Sequence, residues 1–198
     1  MTCPMPVIMV GGQTKDVGKT TLVCNIIAAF PQFRWTAVKF TRHFHLPENS
    51  RLLVKSKDYS FWEQTSAGNT SDTARYTSAG AECALLVQVA DGKMKEACTA
   101  LHKELSPRTH ILVESSGAAE FLSPDLYLMV LDSAKSDFKY SAREMLGDVD
   151  GFILREAGGE VPRELQAHQK PSYRSMPDRL DPALAVAVAH VLGNVGYS

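Results

Sequence analysis

The chain has 198 residues, 44% hydrophobic and 22% charged, with 21 Lys and Arg against 22 Asp and Glu for a net charge of −1. That length suits one domain of roughly 150 residues with a short appendage, long enough to bury a sizeable core without disulfide staples. The near-neutral balance argues against a nucleic-acid partner, which needs clustered Lys and Arg, and no run reaches the roughly 18 apolar residues of a membrane span.

The four cysteines, Cys3, Cys24, Cys83 and Cys98, fall in apolar stretches and make no C-x-x-C pair. They read as reduced thiols of a cytoplasmic protein, and the first residues lack the basic segment of a secretory signal.

In chain order, Val7–Val10 is a short apolar run stopped by Gly11–Gly12. Lys19–Ala29 reads as a helix with Leu22, Ile26 and Ala29 on one face, ended by Pro31. Thr36–Phe40 reads as a second strand. Residues 44–71, polar and aperiodic, read as a long loop excursion of the kind that more often carries function than not. Ala84–Val89 is a third strand, and Lys93–Leu105 a helix with Met94, Ala97, Cys98 and Leu101 on one face before Pro107. Thr109–Val113, Leu126–Leu131 and Gly151–Leu154 supply three more strands, and Pro182–Leu192 a closing helix ended by Gly193. Strands apolar on both faces and separated by helices predict an α/β fold. Its three layers enclose a doubly wound, mostly parallel sheet, within a single domain over residues 1–198.

Gly12-Gln13-Thr14-Lys15-Asp16-Val17-Gly18-Lys19-Thr20-Thr21 follows a strand and opens a helix, the context a phosphate-binding P-loop requires. Glycines let backbone N–H groups turn inward on one anion, and the helix start adds its positive dipole end. In this reading Lys19 reaches the β- and γ-phosphates, the Thr20 hydroxyl ligates Mg²⁺, and Thr21 donates to the α-phosphate. The fold expected is therefore that of the P-loop-containing nucleoside triphosphate hydrolases. Gln13 stands where the usual pattern has its first Gly, so that five residues rather than four separate Gly12 from Gly18.

Further motifs face the same sheet edge. Val38-Lys39 ends a strand and leads to Arg42, His43 and His45; Lys39 and Arg42 suit a second anionic substrate, and the two alternating histidines do not imply a shared metal. Asp72 reads either as an Mg²⁺ ligand or as a helix N-cap, and Arg75 as an anion binder or as the i+3 partner of Asp72. Glu114 ends the apolar strand Ile111–Val113, where a buried acid gains nothing structurally; a carboxylate on Mg²⁺, directly or through water, explains it. Lys15 reads either as a solvated side chain or as a phosphate contact, across a homodimer in one version.

Four stretches carry a resemblance. Gly18-Lys19-Thr20-Thr21-Leu22, Val38-Lys39 with His43 and His45, Asp72-x-x-Arg75-x-x-x-Ala79-Gly80-Ala81, and Val113-Glu114 together resemble the molybdopterin-guanine dinucleotide biosynthesis protein B family over about residues 7–132. The five-residue loop with Asp16-Val17-Gly18-Lys19-Thr20, and Ser115-Ser116-Gly117-Ala118, are similar to dethiobiotin synthetase of the same P-loop class. The resemblance implies Lys19 and Glu114 as catalytic residues. It implies nucleotide contacts from Gly12, Lys15, Val17, Gly18, Lys19, Thr20, Thr21 and Lys39, and Mg²⁺ ligands Thr20, Asp72 and Glu114.

The base stays open between ATP and GTP. Ala134-Lys135-Ser136-Asp137 lacks the Asn or Thr that opens a guanine-reading motif and reads as a solvated helix start, and Leu154-Arg155-Glu156-Ala157 supplies none. The resemblance implies a Mg²⁺-dependent nucleotide-binding protein with weak NTPase activity, assisting an enzyme that attaches a nucleotide to molybdopterin. An ATP-dependent ligase that phosphorylates a carboxylate or carbamate near Lys39 and Ser115–Gly117 is the alternative, with an unidentified second small-molecule substrate. A nucleotide-dependent switch or metal-insertion scaffold is the third.

Overall fold

The computed structural model describes residues 6–67, 70–105, 110–155 and 161–194. Cys3, Pro107, Thr109, Glu156 and Ala157, named above, lie outside them, as do Gly68 and Asn69 of the 44–71 stretch.

The chain opens with β1 (Val7–Gly12), α1 (Lys19–Ala29) and β2 (Trp35–Thr41), followed by β3 (Ser50–Lys55) and β4 (Tyr59–Gln64). Next come α2 (Asp72–Ala79), β5 (Cys83–Val89), α3 (Met94–Glu104), β6 (His110–Glu114) and α4 (Ala119–Leu122). The remainder is β7 (Leu126–Leu131), α5 (Tyr140–Glu144), β8 (Gly151–Leu154), α6 (Arg163–Gln166), β9 (Ser172–Arg174) and α7 (Pro182–Asn194). The nine strands among the described residues join one sheet in the order β3-β4-β5-β2-β6-β1-β7-β8-β9, parallel except for β4, which runs antiparallel to both neighbours.

Period-two alternation sends successive side chains to opposite layers. Ile8, Val10, Leu112 and Leu128 pack beneath α1, α2 and α7 with Leu22, Ile26, Tyr76, Leu184 and Val188. Met9, Val113, Tyr127 and Met129 face the other layer, with Leu101 of α3, Ala119 of α4 and Ala142 of α5. Covering both faces is why β1, β6 and β7 read as continuous apolar runs. Each such fully buried side chain contributes about 1.5–3 kcal/mol of transfer free energy.

Residues 44–71 are not the loop expected from their polarity. They contain the β3–β4 hairpin, which extends the sheet beyond β5. Two causes hid it. The edge strand β3 is largely exposed and its register slips between Leu52 and Val54, so no alternation shows. The polar residues of β4 are buried through hydrogen bonds instead: Ser60 Oγ donates to Gln88 Oε1 at 2.9 Å, and Gln64 Nε2 to Ser66 O at 3.0 Å. The last helix also runs through Gly193 to Asn194 rather than stopping at the glycine. No helix among the described residues is long and apolar enough to cross a membrane.

Candidate nucleotide site

The loop between β1 and α1 has one glycine for shape and one for space. Gly18 adopts the left-handed conformation at φ +100° just before Lys19, and Asp16 does so at φ +55°. Gly12 is needed for close approach: a Cβ there would lie 2.8 Å from Val17 Cγ2 and 2.9 Å from Lys19 Cδ. Both contacts are closer than packed atoms tolerate, so Gly12→Ala should push the loop outward. We expect at least a tenfold loss of nucleotide affinity by calorimetry, with secondary structure by circular dichroism unchanged.

Lys19 folds back over the loop, its Nζ donating to Thr14 O at 2.9 Å. Burial lowers its pKa below the usual lysine value, with the Glu114 charge opposing that shift. A desolvated ammonium here is a natural partner for phosphate oxygens.

Gln13 is neither exposed nor idle. Its backbone N–H donates to Val130 O at 3.0 Å and its carbonyl accepts from Lys139 N at 2.9 Å. Its side-chain Oε1 accepts from Asp132 N at 3.1 Å, while Nε2 donates to Lys135 O at 2.8 Å and Asp137 O at 3.1 Å. Lys135 and Asp137 accordingly do not form a solvated helix start. Lys135 Nζ donates to Lys15 O at 2.7 Å, and Asp137 Oδ2 accepts the Thr14 hydroxyl at 2.5 Å. Arg155 Nη1 adds bonds to Asp16 O and Asp132 Oδ2, each 2.9 Å. The segment after β7 thus clamps the front half of the loop, and the helix near it begins only at Tyr140.

Strand pairing assembles the acidic half. Parallel register sets Glu114 of β6 opposite Val10 of β1 on one side and Lys39 of β2 on the other. Glu114 is only 2% exposed, and three side chains hold its carboxylate. Its Oε2 accepts from Thr20 Oγ1 at 2.8 Å and from the Tyr76 hydroxyl, and its Oε1 pairs with Lys39 Nζ. Lys39 Nζ also pairs with Asp72 Oδ2 at 2.7 Å. Burial alone would lower the Lys39 pKa, but Glu114 and Asp72 outweigh it and the net direction is upward.

Asp72 is the first residue of α2, not its cap; Ser71 caps, its Oγ accepting from Ala74 N at 3.2 Å. Arg75 lies 4.0 Å from Asp72 and donates from Nη2 to Thr21 Oγ1 at 3.2 Å, which ties α2 to α1. Tyr76 went unnoticed in the sequence. Its i+4 spacing from Asp72 was the available signal, since it places both on neighbouring turns of one helix face. Burial, then the Glu114 charge, pushes its hydroxyl well above the usual tyrosine value, so it stays a donor.

Burial pushes Asp72 up, but Lys39, the Thr20 hydroxyl and Arg75 pull it further down, to a net value below the ordinary 3.8. A depressed carboxyl stabilises the fold above its unfolded pKa, and that stabilisation is lost as pH falls through the folded one. Resistance to urea should therefore fall from about pH 4 downward, and Asp72→Asn should flatten that acid limb. An identical limb in the variant would place the acid sensitivity elsewhere.

These groups line one open cleft of about 720 Å³. Lys15, Lys19, Lys39, Arg42, Arg75, Lys139 and Arg155 face it against only Asp16, Asp72 and Glu114. Two carboxylates and a threonine hydroxyl are hard oxygen donors, the set that suits Mg²⁺ rather than a softer metal. Of the residues expected to contact nucleotide, Lys15, Gly18, Lys19, Thr20, Thr21 and Lys39 line the cleft; Val17 is buried beside Gly12 under the loop. His43 lines it too, whereas His45 turns to Gln88, whose Nε2 donates to the His45 carbonyl at 2.6 Å.

No protein-family profile and no curated protein sequence matches this chain. Solved structures do. HypB from Helicobacter pylori, with nickel, superposes with a TM-score of 0.52 at 15% identity over 93% of this chain and 84% of that one. LpxK from Aquifex aeolicus, with ATP, gives a TM-score of 0.51 at 18% identity over 86% of this chain and 54% of that one, so the chain spans about half of LpxK. Bacillus subtilis MobB aligns over 94% of this chain and 97% of that one at 14% identity, with a TM-score of 0.43, too slight a likeness to argue from. At these identities the likeness defines the fold: the chain has the α/β P-loop NTPase fold.

Proposed function

We propose that the cleft binds a nucleoside triphosphate with Mg²⁺ and that the chain is a P-loop NTPase of weak turnover. The observation that carries this is the convergence of Thr20, Asp72 and Glu114 with Lys19 at the mouth of the β1–α1 loop. Lys19 and the loop amides hold the phosphates, Thr20, Asp72 and Glu114 hold the metal, and Gly12 and Val17 shape the loop beneath them. Bound Mg²⁺ would neutralise charge on the phosphates. Tyr76 and Lys39 fix the Glu114 carboxylate, so that it meets the metal without a reorganisation cost.

The biological setting that fits the motifs at Lys39, Asp72, Arg75 and Glu114 is molybdenum cofactor biosynthesis, as an accessory to the enzyme that adds a nucleotide to molybdopterin. A ligase reading, in which the γ-phosphate passes to a carboxylate or carbamate, has support in the five-residue loop and in Lys39 and Ser115–Gly117 facing the same cleft. Calorimetry with ATP, GTP and their non-hydrolysable analogues, each with and without Mg²⁺, tests the proposal. Binding of at least one triphosphate that strengthens with Mg²⁺ is expected; no binding of either would refute it. Turnover stimulated by a carboxylate substrate, rather than by a protein partner, would favour the ligase.

A further inference from the structure

The basic side chains of the cleft divide into two sets. One is already engaged: Lys19 on the Thr14 carbonyl, Lys39 on Asp72 and Glu114, Arg75 on Thr21, Arg155 on Asp132. The other is not. Lys139 has no ion-pair or hydrogen-bond partner for its ammonium among the described residues. The nearest acid in sequence, Asp137, is taken by Thr14. Arg42 reaches only Asp91, at 3.3 Å, and both members of that pair are more than two-thirds exposed, so it is easily exchanged.

These two cations follow strands on opposite sides of β1, Arg42 after β2 and Lys139 after β7. Arg42 follows directly on the end of β2, three residues past Lys39. Lys139 sits at the start of α5, its backbone N–H held by the Gln13 carbonyl at 2.9 Å. Both line the cleft with Ser116 and Gly117. We propose that Arg42 and Lys139 form a second anion subsite in this cleft, which takes the carboxylate or phosphate group of a small co-ligand beside the nucleotide.

The proposal rests on the nucleotide reading only for the identity of the neighbouring ligand. The physical ground is charge balance. Seven basic side chains line the cleft against three acids, and burial first, then the charges of Lys15, Arg42 and Lys39, lower the Lys139 pKa against the opposing pull of Asp137. A cleft walled by one sign of charge concentrates the opposite sign. Arg42 brings a planar fork suited to two oxyanion oxygens, and Lys139 a point charge on a flexible stem. Neither belongs to the loop–helix turn that takes the triphosphate.

Inorganic phosphate and succinate, titrated separately by calorimetry into wild-type protein presaturated with Mg²⁺ and a non-hydrolysable triphosphate, test this. One equivalent of one probe should bind. An Arg42→Ala, Lys139→Ala double variant should weaken it at least tenfold, while nucleotide affinity stays within twofold. Raising NaCl to 0.5 M should also weaken the probe, since the groups lie near the surface. Phosphate alone binding marks the co-ligand as a phosphate ester, succinate alone as a carboxylic acid. No response to either probe up to 20 mM would overturn the subsite. So would a tenfold loss of nucleotide affinity in the variant, which would give both cations to the nucleotide. If no triphosphate binds wild type, the nucleotide reading fails by itself, and the same titrations on free protein, wild type against variant, still decide the subsite.

Discussion

Lys19→Ala should erase most of the thermal stabilisation that Mg²⁺ and nucleotide confer. A ligand at 100 times its Kd adds about 2.7 kcal/mol to a fold that alone can bind it. For a domain of this size that is a rise in melting temperature of roughly 5–10 °C. The ammonium of Lys19 is the desolvated cation at the loop, and among the described residues its one direct bond is to the Thr14 carbonyl, which a bound phosphate can replace. Losing that one hydrogen bond leaves the ligand-free melt within about 1 kcal/mol of wild type. A differential scan with and without ligand reads both numbers, and an undiminished shift in the variant would sink the assignment of this loop to phosphate.

Glu114→Gln should act on the empty protein as well. The carboxylate is buried and counters Lys39, whose side chain is 20% exposed. Breaking such a pair by removing one charge costs about 3–5 kcal/mol. Because Asp72 still faces Lys39, the lower end applies, and a fall of roughly 6–12 °C in melting temperature follows. Nucleotide should still bind, through Lys19 and the loop, but with weaker dependence on Mg²⁺ and slower hydrolysis. Wild-type turnover at saturating Mg²⁺ together with a lowered melt would make Glu114 a structural residue alone.

What could be read from the sequence follows from what each residue faces. Leu126–Leu131 and Gly151–Leu154 were legible to the residue because every position but Leu154 is buried. The helix Lys19–Ala29 was legible because the phosphate loop fixes its start. The β3–β4 hairpin was not, because its buried positions Ser60 and Gln64 are satisfied by side chains of other elements, Gln88 of β5 and Thr73 of α2, and a polar residue that is satisfied looks like one that is solvated. The same blindness covered the site. Thr20, Asp72 and Glu114 are recognisable as types, but the clamp of Gln13, Lys135 and Asp137 on the loop exists only through contacts more than a hundred positions apart. Gln13 looked like a missing glycine; the space that matters belongs to Gly12.

The central position of β1 has a consequence for how the protein comes into being. The strand pairs with β6 and β7 and with nothing nearer in the chain, and the Thr20–Glu114 bond spans 94 positions. At roughly 5–20 residues per second of synthesis, the phosphate loop leaves the ribosome several seconds before the strand that supplies its floor. Until then β1 is an apolar strand with two open edges, and Gly12, Gln13 and Thr20 have none of their distant partners. The nascent chain thus cannot capture nucleotide early, and β1 is the segment that most needs shielding by a chaperone while it waits. A ribosome-arrested chain ending before His110 should be protease-sensitive throughout residues 7–29 and blind to triphosphate, whereas the full chain on a linker long enough to bring it clear of the ribosome should resist protease there and bind triphosphate.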